Sequence, residues 1–154
     1  FRTGRPAVEC VTDTIENYSF EIGKGVQLKD GKDVTIIACG LMVQEALKAQ
    51  KLLEAEGISA RVIDMHTIKP IDRDIILKAA EETGAIVTAE EHNVIGGLGA
   101  AVAEVLVQNK SIPTEFVGVQ DTFGHSASPA ELLKHYRLTP ENIAEKAKKA
   151  ISRK

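Results

Sequence analysis

From Gly25 onward the chain switches repeatedly between two hydrophobic periods. Val26-Gln27-Leu28-Lys29 alternates apolar and polar side chains, the period-two pattern of a half-buried strand. Asp30-Gly31 is a turn signal. The run 34–39 that follows is apolar, rich in β-branched residues and free of charge, as a strand covered on both faces must be. The turn between these two runs predicts a hairpin, with the first strand antiparallel to the second. After Gly40, the residues Val43, Ala46, Leu47, Gln50 and Leu53 fall on one side of a helix, with Lys48, Lys51 and Glu54 outside and Gly57 as a stop signal. Residues 61–65 read as the next strand. Pro70 and Asp72 open a helix that runs through Ile75, Ile76, Ala79 and Ala80 and closes at Gly84. A strand over 85–89, a helix over 98–107 and a last strand over 116–119 follow. Pro129 sits in the first turn of a short helix ending near His135, and Thr139 is placed to cap the final helix.

Strands separated by helices of this length imply parallel βαβ units with right-handed crossovers. The expected fold class is α/β: three layers, α/β/α, around a five-stranded, mostly parallel sheet with one antiparallel strand. The 154 residues fit one domain. Residues 1–20 lack clear periodicity and read as the end of an earlier element followed by a linker, with Gly23 and Gly25 ending it. The chain begins with Phe1 and not with Met, which leads us to expect a piece of a longer protein.

Composition narrows the function classes. The net charge of −3 offers no basic face for nucleic acid. No apolar run approaches the roughly 20 residues of a membrane span, and no secretory leader is evident. The two cysteines, Cys10 and Cys39, match no metal spacing. Cys39 lies in an apolar run, which favours a buried thiol over a disulfide. These features point to a reducing, cytoplasmic setting.

In an open parallel sheet, ligands and partners gather beyond the carboxyl ends of the strands. Four loops belong there: 40–42, 66–70, 90–99 and 121–128. The richest is Glu90-Glu91-His92-Asn93-Val94-Ile95-Gly96-Gly97-Leu98-Gly99. Its glycines open a helix whose free N–H groups can hold an anion, or they let that helix pack closely against a neighbouring subunit or domain. The spacing is neither the dinucleotide fingerprint nor the phosphate-binding loop. Glu90 and Glu91 are adjacent on a strand, so they point to opposite faces and do not converge as an acid/base pair. His66 and His92 read as hydrogen-bonding to loop backbone or, less economically, as metal ligands. Asp121-Thr122-Phe123-Gly124-His125-Ser126 lacks a nucleophile elbow, and Phe123 reads as an apolar anchor closing this loop over the sheet edge. Arg2 and Arg5 flank Gly4 and read as solvated charge or as a phosphate clamp.

Read together, the loops resemble one family. Gly31-Lys32-Asp33-Val34-Thr35-Ile36-Ile37-Ala38-Cys39-Gly40 resembles the entry to the C-terminal domain shared by transketolase, deoxyxylulose-phosphate synthase and the β subunits of 2-oxo-acid dehydrogenases. Val62-Ile63-Asp64-Met65-His66-Thr67-Ile68-Lys69-Pro70-Ile71-Asp72 resembles its second strand and the turn after it. Glu90-Glu91-His92 with Gly96-Gly97-Leu98-Gly99 resembles its third strand and glycine turn. Asp121, Phe123, Gly124 and Ser126 resemble the loop after its last parallel strand. The motifs occur in order over 25–153. They look most like the C-terminal half of a split bacterial or archaeal transketolase.

The resemblance implies a division of labour. Residues 1–24 would be the end of a preceding pyrimidine-binding domain and linker, and 25–154 the transketolase C-terminal domain. The parent enzyme, a homodimer or heterotetramer, would move a two-carbon ketol unit between sugar phosphates. Its thiamine diphosphate and divalent metal would be held by other domains or another subunit, leaving this fragment without cofactor or metal, with no catalytic residue, and inactive alone. Arg2 matches an arginine that meets the substrate phosphate in transketolases. Glu90, His92, Gly96, Gly97 and Gly99 would form an anion or interface turn. The alternatives are the same domain from a 2-oxo-acid dehydrogenase β subunit or deoxyxylulose-phosphate synthase, and a stand-alone anion-binding regulatory module.

Overall fold

The computed structural model describes residues 4, 7–13, 15–16 and 18–154. The elements in chain order are β1 (Val26–Lys29), β2 (Val34–Ala38), α1 (Met42–Ala55), β3 (Ala60–Asp64), α2 (Arg73–Thr83), β4 (Ile86–Asn93), α3 (Leu98–Asn109), β5 (Thr114–Val119), α4 (Pro129–His135) and α5 (Pro140–Ile151). The strands form one sheet of five in the order β1-β3-β2-β4-β5. β2, β3, β4 and β5 run parallel, and β1 runs antiparallel at one edge. The α/β class and the single antiparallel strand are as the sequence predicts.

The expected hairpin is not formed. β1 pairs with β3, Val26 opposite Asp64 and Gln27 opposite Ile63, and β3 therefore lies between β1 and β2. The Asp30-Gly31 turn carries the chain across the start of β3. A Cβ at Gly31 would lie 2.3 Å from the Ala60 carbonyl carbon and the Arg61 nitrogen, so only glycine passes here. The crossing is bonded along its length. Lys32 and Asp33 donate backbone N–H to the Ser59 carbonyl (3.1 and 2.8 Å), and the Asp33 carboxylate accepts from the Ser59 amide at 2.7 Å. Buried Arg61 holds the crossing from below, donating to Asp30 at 3.0 Å and pairing with Glu82 at 2.6 Å.

Strand alternation divides the core into two layers. Val34, Ile36 and Ala38 of β2, with Val62, Val87, Ala89 and Val117, face α1 and α5. Ile37, Ile63 and Ile86 face α2 and α3, where Ile76, Val102 and Leu106 meet them. This explains the unbroken apolar run of β2: both of its faces are covered. Burying each such branched side chain stabilises by about 1.5–3 kcal/mol. The buried stripe of α1 is Met42, Val43, Ala46, Ala49 and Leu53; the predicted Leu47 and Gln50 are only half-buried. The stripe is rotated because small Ala46 and Ala49 share the layer with Ala144 and Ala147 of α5.

End signals behave as read. Asp72 caps α2 by accepting from Ile75 N (3.2 Å), and it also accepts from Gly25 N (3.0 Å), tying the entry of β1 to that helix. Gly84 closes α2 in the left-handed conformation, and Thr139 caps α5. α5 is fastened to β5 by Glu115, whose buried carboxylate accepts from Lys146, Lys149 and Arg153 at 3.1, 3.1 and 2.6 Å. Among the described residues no helix is long and apolar enough to cross a membrane.

Candidate functional site at the carboxyl edge of the sheet

Because β2 to β5 are parallel, their carboxyl ends share one edge, and the loops after them form a row. Strand β4 breaks its regular pairing there. It matches β5 residue for residue up to Ala89 and Val117, after which Asn93 lies opposite Val119, so β4 bulges over Glu90, Glu91 and His92. β4 is thus longer than the predicted 85–89 and ends irregularly.

Inside this bulge Glu90 is 1% exposed. Its carboxylate accepts from two backbone amides of the first turn of α3, Leu98 N at 2.7 Å and Gly99 N at 2.9 Å. The N-cap residue Gly97 has no side chain to cap the helix, and Glu90 does so from the neighbouring strand. Amide hydrogen bonds and the positive end of the helix compensate the buried charge. The glycines follow from this. A Cβ at Gly97 would stand 2.0 Å from Glu90 Oε2, and one at Gly99 would stand 2.9 Å from Thr88 Oγ1 and 3.1 Å from the Phe116 ring. Gly96 has open space around it and a φ of +73°. Gly118 of β5, which the sequence reading missed, completes the set: a Cβ there would lie 2.8 Å from Val94 and 2.9 Å from the His92 carbonyl. An external anion at this helix start would have to displace Glu90.

His92 is half-exposed, with its Nδ1 3.9 Å from Glu90 Oε2. Nδ1–H donates to the Asn93 carbonyl at 2.8 Å, which leaves Nε2 as the outward nitrogen. Asn93 joins two loops: its Oδ1 accepts from Ile95 N at 2.8 Å, and its Nδ2 donates to Asp121 Oδ1 at 3.0 Å. Asp121 itself adopts φ +51°. The glycine turn and the loop after β5 are therefore one bonded unit.

The loop after β5 differs from expectation. Phe123 is 95% exposed and anchors nothing in this chain. Tyr136, just past α4, holds the loop instead. Its hydroxyl donates to the Phe123 carbonyl (3.0 Å) and accepts from the His125 amide (2.9 Å) and from His125 Nδ1–H (2.8 Å). A phenol that makes two backbone bonds and one to a histidine ring leaves no signal in a lone tyrosine, so the sequence does not reveal it.

His66 lies at the end of β3, separated from β4 by β2, so it and His92 do not converge. Its Nε2–H donates to the Glu21 carbonyl at 3.1 Å, and its ring meets Phe20 at 4.6 Å. Gly23 N donates to Thr67 Oγ1 at 2.9 Å, so residues 20–25 run along the loop after β3. Cys10 is exposed and Cys39 half-buried, and neither forms a disulfide. Arg2 and Arg5 lie outside the described residues.

No group of three or more His, Cys, Asp or Glu side chains among the described residues could hold a metal ion. The amides at the start of α3 are taken by Glu90. Among the described residues, neither a metal-ligand cluster nor an unfilled amide pair at the start of α3 is present.

Comparison with known proteins accords with this geometry. The family described as "Transketolase, C-terminal domain" matches residues 23–143. The chain is 45% identical over 150 residues to a 6-deoxy-6-sulfo-D-fructose transketolase subunit of Clostridium sp. strain MSTE9, covering 97% of this chain and 46% of that protein. It is 44% identical over 146 residues to an apulose-4-phosphate transketolase subunit of Phocaeicola vulgatus, covering 95% of this chain and 46% of that one. A solved "split gene transketolase, inactive beta4 tetramer" superposes with a TM-score of 0.93 at 52% identity, over 98% of this chain and 49% of that chain. The chain thus spans about half the length of the relatives it matches. By fold, by motif order and by these matches, the chain belongs to the transketolase C-terminal domain family.

Proposed function

We propose that this chain serves as the structural and interface domain of a thiamine-diphosphate-dependent transketolase that moves a two-carbon ketol unit between sugar phosphates. The coenzyme would supply the carbanion chemistry from domains outside this chain, with a divalent metal beside it. Residues 25–154 would be the C-terminal domain and 1–24 the end of a pyrimidine-binding domain with its linker. The parent would assemble in the cytoplasm as a homodimer or heterotetramer and act on pentose-phosphate-type sugars. One observation carries this reading: the helix start that the glycine turn opens is filled by the chain's own Glu90. The glycine turn around it is shaped for packing. The names of the matched relatives, both transketolase subunits of twice this length, support it.

Calorimetry with thiamine diphosphate and Mg²⁺ tests the division of labour. We expect no binding and no ketol transfer by this chain alone, and activity when the cofactor-binding domains are supplied. Tight coenzyme binding by the isolated chain would sink the proposal. Within the assembled enzyme, Arg2→Ala should raise KM for a phosphorylated ketose while leaving a non-phosphorylated ketol donor unchanged. An equal effect on both donors removes Arg2 as a phosphate contact.

A further inference from the structure

Five acidic residues are buried among the described residues, and four have partners. Glu45 accepts from Lys48, Asp72 from two backbone amides, Glu90 from two amides of α3, and Glu115 from three cations of α5. Asp64 is the exception. It ends β3 at 8% exposure, and no described residue donates a hydrogen bond or an ion pair to its carboxylate. Alternation along β3 puts it on the face of Ala60 and Val62, toward α1. Burial lifts its carboxyl above the ordinary aspartate value, an effect His66 partly offsets. Tyr18 is lifted too, by burial and then by the Asp64 charge. His66 adds a second unmet acceptor: with Nε2–H donated to the Glu21 carbonyl, Nδ1 carries a lone pair, and that atom is buried without a partner.

Among the described residues, a carboxylate that accepts no hydrogen bond and an imidazole lone pair thus share one corner, with the Tyr18 hydroxyl within reach of the carboxylate's charge. Buried acceptors in folded proteins are met by donors, and an unmet one on an exposed rim marks contacts still to be made. Tyr18 and Phe20 stand against this corner, and Ile22 and Ile68, chain neighbours of the bonded pair Glu21 and His66, are exposed as well. The complementary group is cationic, donates without accepting, and has flat faces that stack on aromatic rings. Guanidinium has all three properties, and ammonium lacks the last.

We propose that this corner of the carboxyl edge docks an arginine of a neighbouring protein segment, with Asp64 as its counter-charge and Tyr18, Phe20 and Ile68 flanking its stem. Resting on the scaffold reading above, it assigns that segment to the remaining half of the parent enzyme, which the longer relatives carry.

The test compares association with folding. The remaining half is supplied as a separate polypeptide, and its binding to this chain is followed by sedimentation velocity. Asp64→Asn should weaken association at least tenfold. The same variant alone should melt at the same temperature as wild type or higher, because an unpaired buried charge has been removed. Unchanged association overturns the docking proposal, and so does a lower melting temperature of the free variant, which would make Asp64 an internal structural group. Phe20→Ala, on an exposed side chain that the core does not use, should weaken association several-fold with no change in melting; no weakening overturns the assignment of the rim. If the wild-type chain fails to bind the remaining half at all, the scaffold reading falls and takes the docking site with it. Self-association of this chain alone that Asp64→Asn abolishes would assign the corner to a second copy and overturn the choice of partner.

Discussion

Glu90 and Asp64 are both acids buried at the carboxyl ends of parallel strands, and the chain treats them in opposite ways. Glu90 sits in a bulge that turns its carboxylate onto two backbone amides, under a helix start emptied of side chains by Gly97. Asp64 ends its strand accepting no hydrogen bond from any described residue. The first is closed within the domain, and its purpose is to hold α3 against the sheet. The second accepts no hydrogen bond from a described residue, and under the docking proposal its partner comes from outside. Burial alone therefore does not distinguish a structural acid from an interface acid; the inventory of donors does.

The largest effect should come from breaking the closed site. Glu90→Leu removes the acceptors that the described residues give two helix-start amides and leaves those amides buried, at a cost of about 3–5 kcal/mol. Urea denaturation should show it as a large fall in midpoint. A loss below about 1 kcal/mol would mean that water or another acceptor reaches those amides, and the contrast with Asp64 would fail. Next comes Gly97→Ala. Its Cβ would stand 2.0 Å from Glu90 Oε2, so the carboxylate must move off its amides. We expect about 2–3 kcal/mol, comparable to losing one of the two bonds with added strain. The double variant with Glu90→Leu should cost less than the sum, since both act on one contact.

What was legible in the sequence bears on this contrast. Strand and helix periods, the caps at Asp72 and Thr139 and the stop at Gly84 are local signals, and they placed nearly every element. The partner of β1 was not legible, because Asp30-Gly31 serves equally as a hairpin turn or as a crossing, and only the position of Ala60 and Arg61 decides. Glu90 was singled out for its chemistry, but its role rests on a bulge that shifts strand register, which no period reveals. Phe123 looked like a core anchor because it is large and apolar; Tyr136 takes the holding role and leaves it exposed. Pairing across the fold is nonlocal, so the residues that satisfy or abandon a buried acid are the last thing a sequence shows.

A third acid sets the scale between the two extremes. Burial would raise the Glu115 carboxyl, but hydrogen bonds and charge from Lys146 and Lys149 outweigh it and hold the group below the ordinary glutamate value. Its partners are partly exposed, so Glu115→Gln should cost only about 1–2 kcal/mol, less at high salt. A depressed value means the ionised form is favoured by folding. The contribution is complete above the ordinary glutamate range near pH ~4 and is lost as pH falls through the folded value. The melting-temperature gap between wild type and Glu115→Gln should therefore close on acidification. A gap that persists unchanged at low pH would show packing, with charge irrelevant.

The smallest effect should also have the opposite sign. Asp64→Asn is nearly isosteric, and in the free chain it should be neutral or stabilising by under about 1 kcal/mol. Here the folded carboxyl titrates above its ordinary value, so folding favours the protonated form. At pH below both values the wild type carries no charge penalty. As pH rises past the ordinary aspartate value near ~4, the unfolded chain ionises first, and wild type loses stability until the folded group ionises as well. Asparagine never pays that penalty. The advantage of Asp64→Asn over wild type should consequently be absent in acid and grow toward neutrality, the reverse of the pH course expected of Glu115→Gln. Differential scanning calorimetry of both variants from acid to neutral pH checks the pair of slopes together. If the Asp64 curve runs parallel to the Glu115 curve, Asp64 already has a partner inside this chain, and the two strand ends are the same kind of site.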